Sequence, residues 1–264
     1  MRNGNVPGKV ICQQFLPLTF NNNWYVTCYI LIYMLHPILN LIIEKTSKRT
    51  FFRLVMTTSW LYLVSSFFLG MHFFSSIIII WITIYFLLAY LKKYMVKIMN
   101  NKRVNKFMFI TSVTCNIMTL FFMNLIGLKF PMMGDKLMHF SGISNPLTVI
   151  SAISLFNILR LHCFQIEIIN SISSLALYVY LIHENTLLRS YYRTAFWDLI
   201  YRKIGYSHLL LLVLGMVLVI FLFGLILGYI YKKTCGRINE IIVQNLLPVI
   251  KDKYNCIEGK ILSI

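Results

Sequence analysis

Acidic residues are scarce in this sequence, which has eight Asp and Glu against 25 Lys and Arg. Charged residues of both signs make up only 12% of the chain, about half the usual fraction of a soluble domain. With 58% hydrophobic residues, too few polar side chains remain to cover a surface in water. The shortage of charge therefore excludes a soluble protein and favours an integral membrane protein, whose apolar side chains are solvated by lipid.

Motifs for several kinds of chemistry are also missing. The sequence has no Gly-rich phosphate loop, no Ser-centred elbow, no HExxH and no paired-carboxylate motif. Its six cysteines lack the spacing of a metal site, so no metal is expected. The basic residues are scattered between hydrophobic stretches, whereas a nucleic-acid-binding protein places them on one soluble face.

Long stretches without a charged residue dominate the chain instead. A helix needs about 20 apolar residues to cross a bilayer, and continuous apolar runs do not fit the alternating strands of a membrane barrel. The sequence therefore predicts an all-α integral membrane protein, a polytopic bundle of about seven transmembrane helices in a single domain, 1–264, without a soluble domain. The predicted spans are 22–43, 54–71, 73–91, 107–128, 143–160, 171–188 and 208–231.

The basic residues between the spans predict the orientation. The loops after the first, third and fifth spans, with the C-terminus, hold 16 Lys and Arg, whereas the opposite side holds 8. Because positive residues stay in the cytoplasm, we expect a multi-pass protein of the plasma membrane with its C-terminus inside and its N-terminus outside.

Polar residues inside the spans are costly in lipid and point to candidate sites. The first span carries one helical face of hydroxyl, imidazole and amide groups, which predicts a polar interior for binding or for packing alone. Its residues are Tyr25, Tyr29, Tyr33, His36 and Asn40. Trp24 and Tyr25 also fit an ordinary aromatic belt at the membrane surface.

A second polar group closes the sixth span, where His183 and Glu184 are followed by Arg189. His183 fits an acid or base that a carboxylate tunes, and it fits equally well a histidine that bonds between helices. At the end of the third span, Lys92 and Lys93 are expected to meet phosphates of lipid or of a soluble donor.

Four segments resemble the acyltransferase-3 family of membrane O-acyltransferases, in the family's order and spacing. The segments are Asn23–Asn40 with the preceding Phe15–Thr19, then Ile82–Tyr94, Asn145–Phe156 and Tyr178–Arg189. The family's opening helix carries an Arg and the His regarded as catalytic in the family, and neither has a counterpart here. The resemblance thus places the start of this chain at the family's fourth helix, with a separate polypeptide as a potential source of the first three.

The resemblance implies a polysaccharide O-acetyltransferase-like reaction. An acyl group, usually acetyl, would pass from acetyl-CoA, the donor substrate, to a hydroxyl of a cell-surface glycan or lipid-linked sugar. His183 and Glu184 are the expected catalytic residues, and Lys92 and Lys93 the expected ligands of the donor. The expected acceptor-binding residues are Trp24, Tyr25, Tyr29, Tyr33, Asn40, Tyr180 and Arg189. A transporter or flippase, or a non-catalytic membrane partner, are the alternatives.

Overall fold

In the computed structural model, the described residues are 90% helical and contain no strand. They fall into two compact units, one of residues 24–164 and one that contains the described residues after 165. The described residues are 23–65, 77–130, 142, 144–162, 166–199, 208–236, 238, 240–246 and 248.

Ten helices are defined in this part of the chain. In the first unit they are α1 (Trp24–Lys45), α2 (Lys48–Ser59, continued by a π-helical turn, Trp60–Val64), α3 (Ile77–Tyr94), α4 (Val96–Met99), α5 (Lys102–Lys129) and α6 (Pro146–Arg160). In the second unit they are α7 (Glu167–Ser174), α8 (Ala176–His183), α9 (Thr186–Leu199) and α10 (Leu209–Thr234).

Four of these helices, α1, α3, α5 and α10, are long and apolar enough to cross a membrane. They confirm helices at the first, third, fourth and seventh predicted spans. Only 11%, 17%, 6% and 6% of the residues in their most apolar windows are buried, so most of their apolar side chains are partly or fully exposed. That arrangement is stable when lipid surrounds the helices and unstable in water. The chain is therefore an all-α protein with membrane-spanning character.

The other three predicted spans are not confirmed as crossings. In the second, α2 with its π-helical turn covers the beginning, and residues 66–76 lie outside the described part. In the fifth, 143–160, α6 begins at Pro146 and has 15 residues, or about 22 Å at 1.5 Å per residue. The hydrocarbon core is about 30 Å thick, so α6 alone is short for a crossing.

The sixth predicted span, 171–188, is wrong as one continuous helix. The chain forms α7, α8 and α9 there, with breaks at Leu175 and at Glu184–Asn185. Before the first break, the hydroxyls of Ser173 and Ser174 donate to carbonyls of their own helix, at 2.7 Å in each case. Such bonds compete with the helical ladder and often bend a helix.

The first unit has an aromatic and aliphatic core where α1, α2 and α3 meet. Phe51 of α2 is fully buried, and its ring centroid lies 6.0 Å from that of Phe86 and 5.8 Å from that of Tyr90 on α3. Leu39 and Ile43 of α1 complete the contact. Since lipid is as apolar as these side chains, close packing rather than exclusion of water holds the helices together.

Asparagines join α5 to α6. The Nδ2 of Asn157 donates to the Oδ1 of Asn105 at 3.1 Å, and the Nδ2 of Asn145 donates to the Oδ1 of Asn116 at 3.0 Å. Asn145 also caps α6, because its Oδ1 accepts from the backbone N–H of Leu147 at 2.8 Å. Hydrogen bonds between membrane helices contribute about 0.6–2 kcal/mol each, so these amides fix the register of the pair.

Candidate functional site

The turn between α8 and α9 brings the predicted catalytic residues together. Helix α8 ends at His183, and α9 begins at Thr186. The hydroxyl of Tyr192 on α9 donates to the backbone carbonyl of His183 at 3.0 Å. This bond satisfies a carbonyl that the end of α8 would otherwise leave without a helical partner. Tyr192 therefore holds His183 in place from the neighbouring helix.

Glu184 lies between two positively charged or chargeable groups. Its Oε2 accepts from the Nη1 of Arg189 at 2.6 Å, a short, charge-assisted hydrogen bond. Its Oε1 lies 3.5 Å from the Nε2 of His183, which is an electrostatic contact longer than a normal hydrogen bond. The side chain of Glu184 is 12% exposed, whereas those of His183 and Arg189 are each 40% exposed. The carboxylate is thus fixed by the arginine and faces the imidazole.

His183 also borders a cavity of about 220 Å³ inside the second unit. The walls are apolar side chains of α8 and α10, and Tyr192 and Arg193 of α9 contribute the other polar groups. The cavity is lined by Val179, His183, Tyr192, Arg193, Met216, Val217, Ile220 and Phe221. It is smaller than the 300–1,000 Å³ of pockets for drug-sized ligands, so it matches a small acyl group or part of one sugar ring.

This arrangement is suited to proton transfer. With the Nε2 of His183 turned toward a fixed carboxylate, the Nδ1 is the nitrogen left to accept a proton from a bound hydroxyl. Arg193 at the cavity wall can stabilise negative charge that develops on an oxygen during such a reaction. Sequence reasoning selected His183, Glu184 and Arg189, and the structure places these three side chains together.

Tyr192 and Arg193 were missed by sequence reasoning. Both lie beyond the predicted end of the sixth span, in a segment assigned to an external loop. The amphipathic sequence of α9, with Tyr and Arg among apolar residues, was the available signal of a helix lying against α8. Tyr180, predicted to bind the acceptor, is partly buried on α8.

Some residues on the polar face of α1 contact another helix, and others are exposed. Tyr25 packs edge-on against Trp81 of α3 at 5.6 Å between centroids. Tyr29 and Tyr33 are 63% and 73% exposed among the described residues, so their role in lining an interior stays a prediction. Their exposure follows from the rotation of α1, which turns Cys28 and other apolar side chains toward its neighbours. Trp24 is partly buried, with its ring 6.1 Å from that of Tyr25.

Asn40 is the member of this face that makes a strong interhelical bond. Its Oδ1 accepts from the hydroxyl of Tyr85 on α3 at 2.7 Å, and its Nδ2 lies 3.0 Å from the Nε2 of His36 one turn earlier. The ring of Tyr85 also meets that of His36 edge-on, at 6.1 Å. Helix packing alone explains these contacts of Asn40 and His36. A role of Asn40 in acceptor binding stays a prediction.

The two lysines predicted to bind the donor differ in their surroundings. The Nζ of Lys93 donates to the backbone carbonyl of Ile43 at 2.9 Å, near the end of α1, and lies 5.5 Å from the ring centroid of Tyr94. Lys93 therefore has a structural role in joining α3 to α1. Lys92 is exposed, and no polar partner for it is found among the described residues.

No family model, curated protein or solved structure matches this chain. The chemistry of the site therefore rests on the residues themselves and on the resemblance of the four segments.

Proposed function

We propose that this chain is a membrane-bound O-acyltransferase that moves an acetyl group from acetyl-CoA to a hydroxyl of a cell-surface glycan or lipid-linked sugar. The observation that carries the proposal is the His183 imidazole, which borders a small cavity and faces a carboxylate fixed by Arg189. The resemblance of Tyr178–Arg189 to a family segment supports the same assignment.

In the proposed reaction, the acceptor hydroxyl binds in the cavity and gives its proton to His183 as the oxygen attacks the thioester carbonyl. The carbon–oxygen bond forms, the carbon–sulfur bond breaks, and the CoA thiolate leaves and takes up the proton. Glu184 stabilises the imidazolium that forms between these steps, and Arg193 stabilises the oxyanion of the tetrahedral intermediate. The cavity volume of about 220 Å³ favours acetyl over a long acyl chain.

The distribution of basic residues supports a plasma-membrane location with His183 toward the outer side, where a surface glycan is found. Lys92 stays the predicted ligand of the donor phosphates. The alternative of a transporter has less support, because Tyr29 and Tyr33 are exposed and no path lined by them is found among the described residues.

The proposal is tested by giving membranes that contain the protein radiolabelled acetyl-CoA and cell-surface glycan. We expect label in the glycan with the wild type and a loss of about 10²–10⁴-fold in the initial rate with His183→Gln, the usual contribution of general acid–base catalysis. The matched control is His208→Gln, which removes an exposed imidazole just before α10 in the same unit, away from the cavity-lining residues.

Two results would contradict the proposal. Absence of acetyl transfer by well-folded wild-type protein would reject the activity. Equal rates for His183→Gln and His208→Gln would reject His183 as the base.

A further inference from the structure

An open hollow of about 540 Å³ lies at the elbow between α4 and α5. Its lining residues take no part in the proposed acyl transfer. It is lined by Lys97, Asn100, Asn101, Lys102 and Arg103. The elbow joins the end of α3 to the beginning of α5, two helices long enough to cross a membrane. It therefore lies near a bilayer surface, at the depth of the lipid headgroups.

The two asparagines of the hollow have their oxygens occupied. The Oδ1 of Asn100 accepts from the Nη2 of Arg160 at 2.7 Å. The Oδ1 of Asn101 accepts from the backbone N–H groups of Arg103 and Val104, at 3.0 and 3.2 Å, and so caps α5. These bonds orient both amides. The NH₂ group of each asparagine stays able to donate to a ligand, and the Oδ1 of Asn101 already accepts two hydrogen bonds.

The remaining lining residues are three cations without a carboxylate. No Asp or Glu belongs to the residues that line the hollow, and no ion pair of Lys97, Lys102 or Arg103 is found in the described part of the chain. Lys102 has one polar contact, 3.5 Å from the Nδ1 of His162. Lys and Arg side chains can only donate, so the side chains of the hollow present mainly donors and positive charge.

Helix stability does not explain two of these cations. Lys102 and Arg103 occupy the first turn of α5, which has no acidic residue. The positive end of the helix dipole disfavours cations there, by about 0.3–1 kcal/mol each. A ligand with acceptor oxygens and negative charge would offset that cost.

We infer that the α4–α5 elbow is a binding site for the phosphate group of an anionic phospholipid. Phosphate is an anion rich in acceptor oxygens, which matches a hollow lined by cationic donors, and arginine forks and lysines are its usual ligands. The headgroup is favoured as the source because the elbow connects two candidate spans at the bilayer surface, where basic residues gain about fivefold in affinity each from anionic lipid.

The inference is tested on the detergent-purified full chain with a photoactivatable phosphatidylglycerol, whose crosslinks are mapped to peptides by mass spectrometry. We expect crosslinks at residues 95–106 that excess phosphatidylglycerol removes and excess phosphatidylcholine does not. Inorganic pyrophosphate is added in a separate arm to detect a site for soluble phosphate compounds.

The variant Lys97→Gln/Lys102→Gln/Arg103→Gln should reduce this labelling by about a hundredfold at subsaturating lipid. The matched control Lys45→Gln/Arg49→Gln/Arg53→Gln removes the same charge from exposed positions of α1 and α2 outside the hollow. It should retain the labelling. A charge-preserving variant, Lys97→Arg/Lys102→Arg/Arg103→Lys, should also retain it and shows that the elbow tolerates substitution.

Three results would overturn the inference. Equal losses in the glutamine variant and its matched control would show a general effect of surface charge. Labelling that phosphatidylcholine removes as well as phosphatidylglycerol would show no preference for the anionic headgroup. Displacement of the lipid by pyrophosphate would assign the hollow to a soluble phosphate compound.

Discussion

Two glycines on α10 allow α8, the helix that carries His183, to pack closely against it. A Cβ added to Gly228 would lie 2.8 Å from the Cβ of Tyr178, and one added to Gly224 would lie 3.0 Å from the Cα of Val179. Both contacts involve atoms at or next to the backbone, which cannot rotate away. We therefore expect Gly228→Ala and Gly224→Ala to push α8 away from α10.

The expected cost follows from two opposing effects. Overpacking of a close contact costs about 1–3 kcal/mol. Alanine also favours a helix over glycine, by about 0.8–1 kcal/mol in soluble helices. Gly215→Ala isolates the second effect, because nothing lies within 4 Å of the added Cβ. We expect Gly215→Ala to be neutral or slightly stabilising. The free energy of unfolding of Gly228→Ala should be lower than that of Gly215→Ala by about 1–3 kcal/mol.

The free energy of unfolding can be measured by titrating sodium dodecyl sulfate into dodecyl maltoside micelles, with far-ultraviolet circular dichroism as the signal. Tyr178→Gly removes the Cβ that the new methyl group meets, so Gly228→Ala should cost less in that background than alone. Equal stability of Gly228→Ala and Gly215→Ala, or the same cost in both backgrounds, would refute the close contact between α8 and α10.

Three further changes test the polar contacts. Asn105→Leu should lower the free energy of unfolding in the same titration by about 1–3 kcal/mol, because three backbone carbonyls at the end of α4 and before α5 lose the amide that donates to them. Tyr85→Phe should cost about 0.6–2 kcal/mol by removing the hydroxyl bonded to Asn40 while the ring is kept, and no change would mean that this bond contributes nothing. Arg189→Gln should slow acetyl transfer at least about tenfold, since Glu184 would lose its fixed partner, and an unchanged rate would remove this ion pair from the mechanism.

The long helices could be predicted because charge is excluded from helix-length stretches, and lipid makes that exclusion nearly obligatory. The beginning of α6 has a local cause in the sequence, since Asn145 caps the helix and Pro146 is suited to its first turn. The breaks around α8 could not be read from hydrophobicity. The first break follows serines that bond to their own helix, and such bonds leave no mark in an apolar pattern.

The residues of the site could be predicted from the sequence better than their arrangement could. His183, Glu184 and Arg189 are neighbours in sequence, so any turn at Glu184 tends to keep them close. The contribution of Tyr192 depends on the reversal between α8 and α9, which the prediction of a continuous span excluded. The spacing of residues gives the polar stripe of α1 but not the rotation of the helix against α3, so the contact of Asn40 with Tyr85 could not be predicted.

The most direct test of the account is whether α5 crosses the bilayer. After the six cysteines are replaced by serine, single cysteines are placed at Lys97, before the helix, and at Phe130, after it. Each is exposed to a membrane-impermeant maleimide in intact cells and again after permeabilisation. We expect Phe130→Cys to react in intact cells and Lys97→Cys to react only after permeabilisation. Reaction of both cysteines from the same side would contradict a helix of 28 residues that spans the membrane.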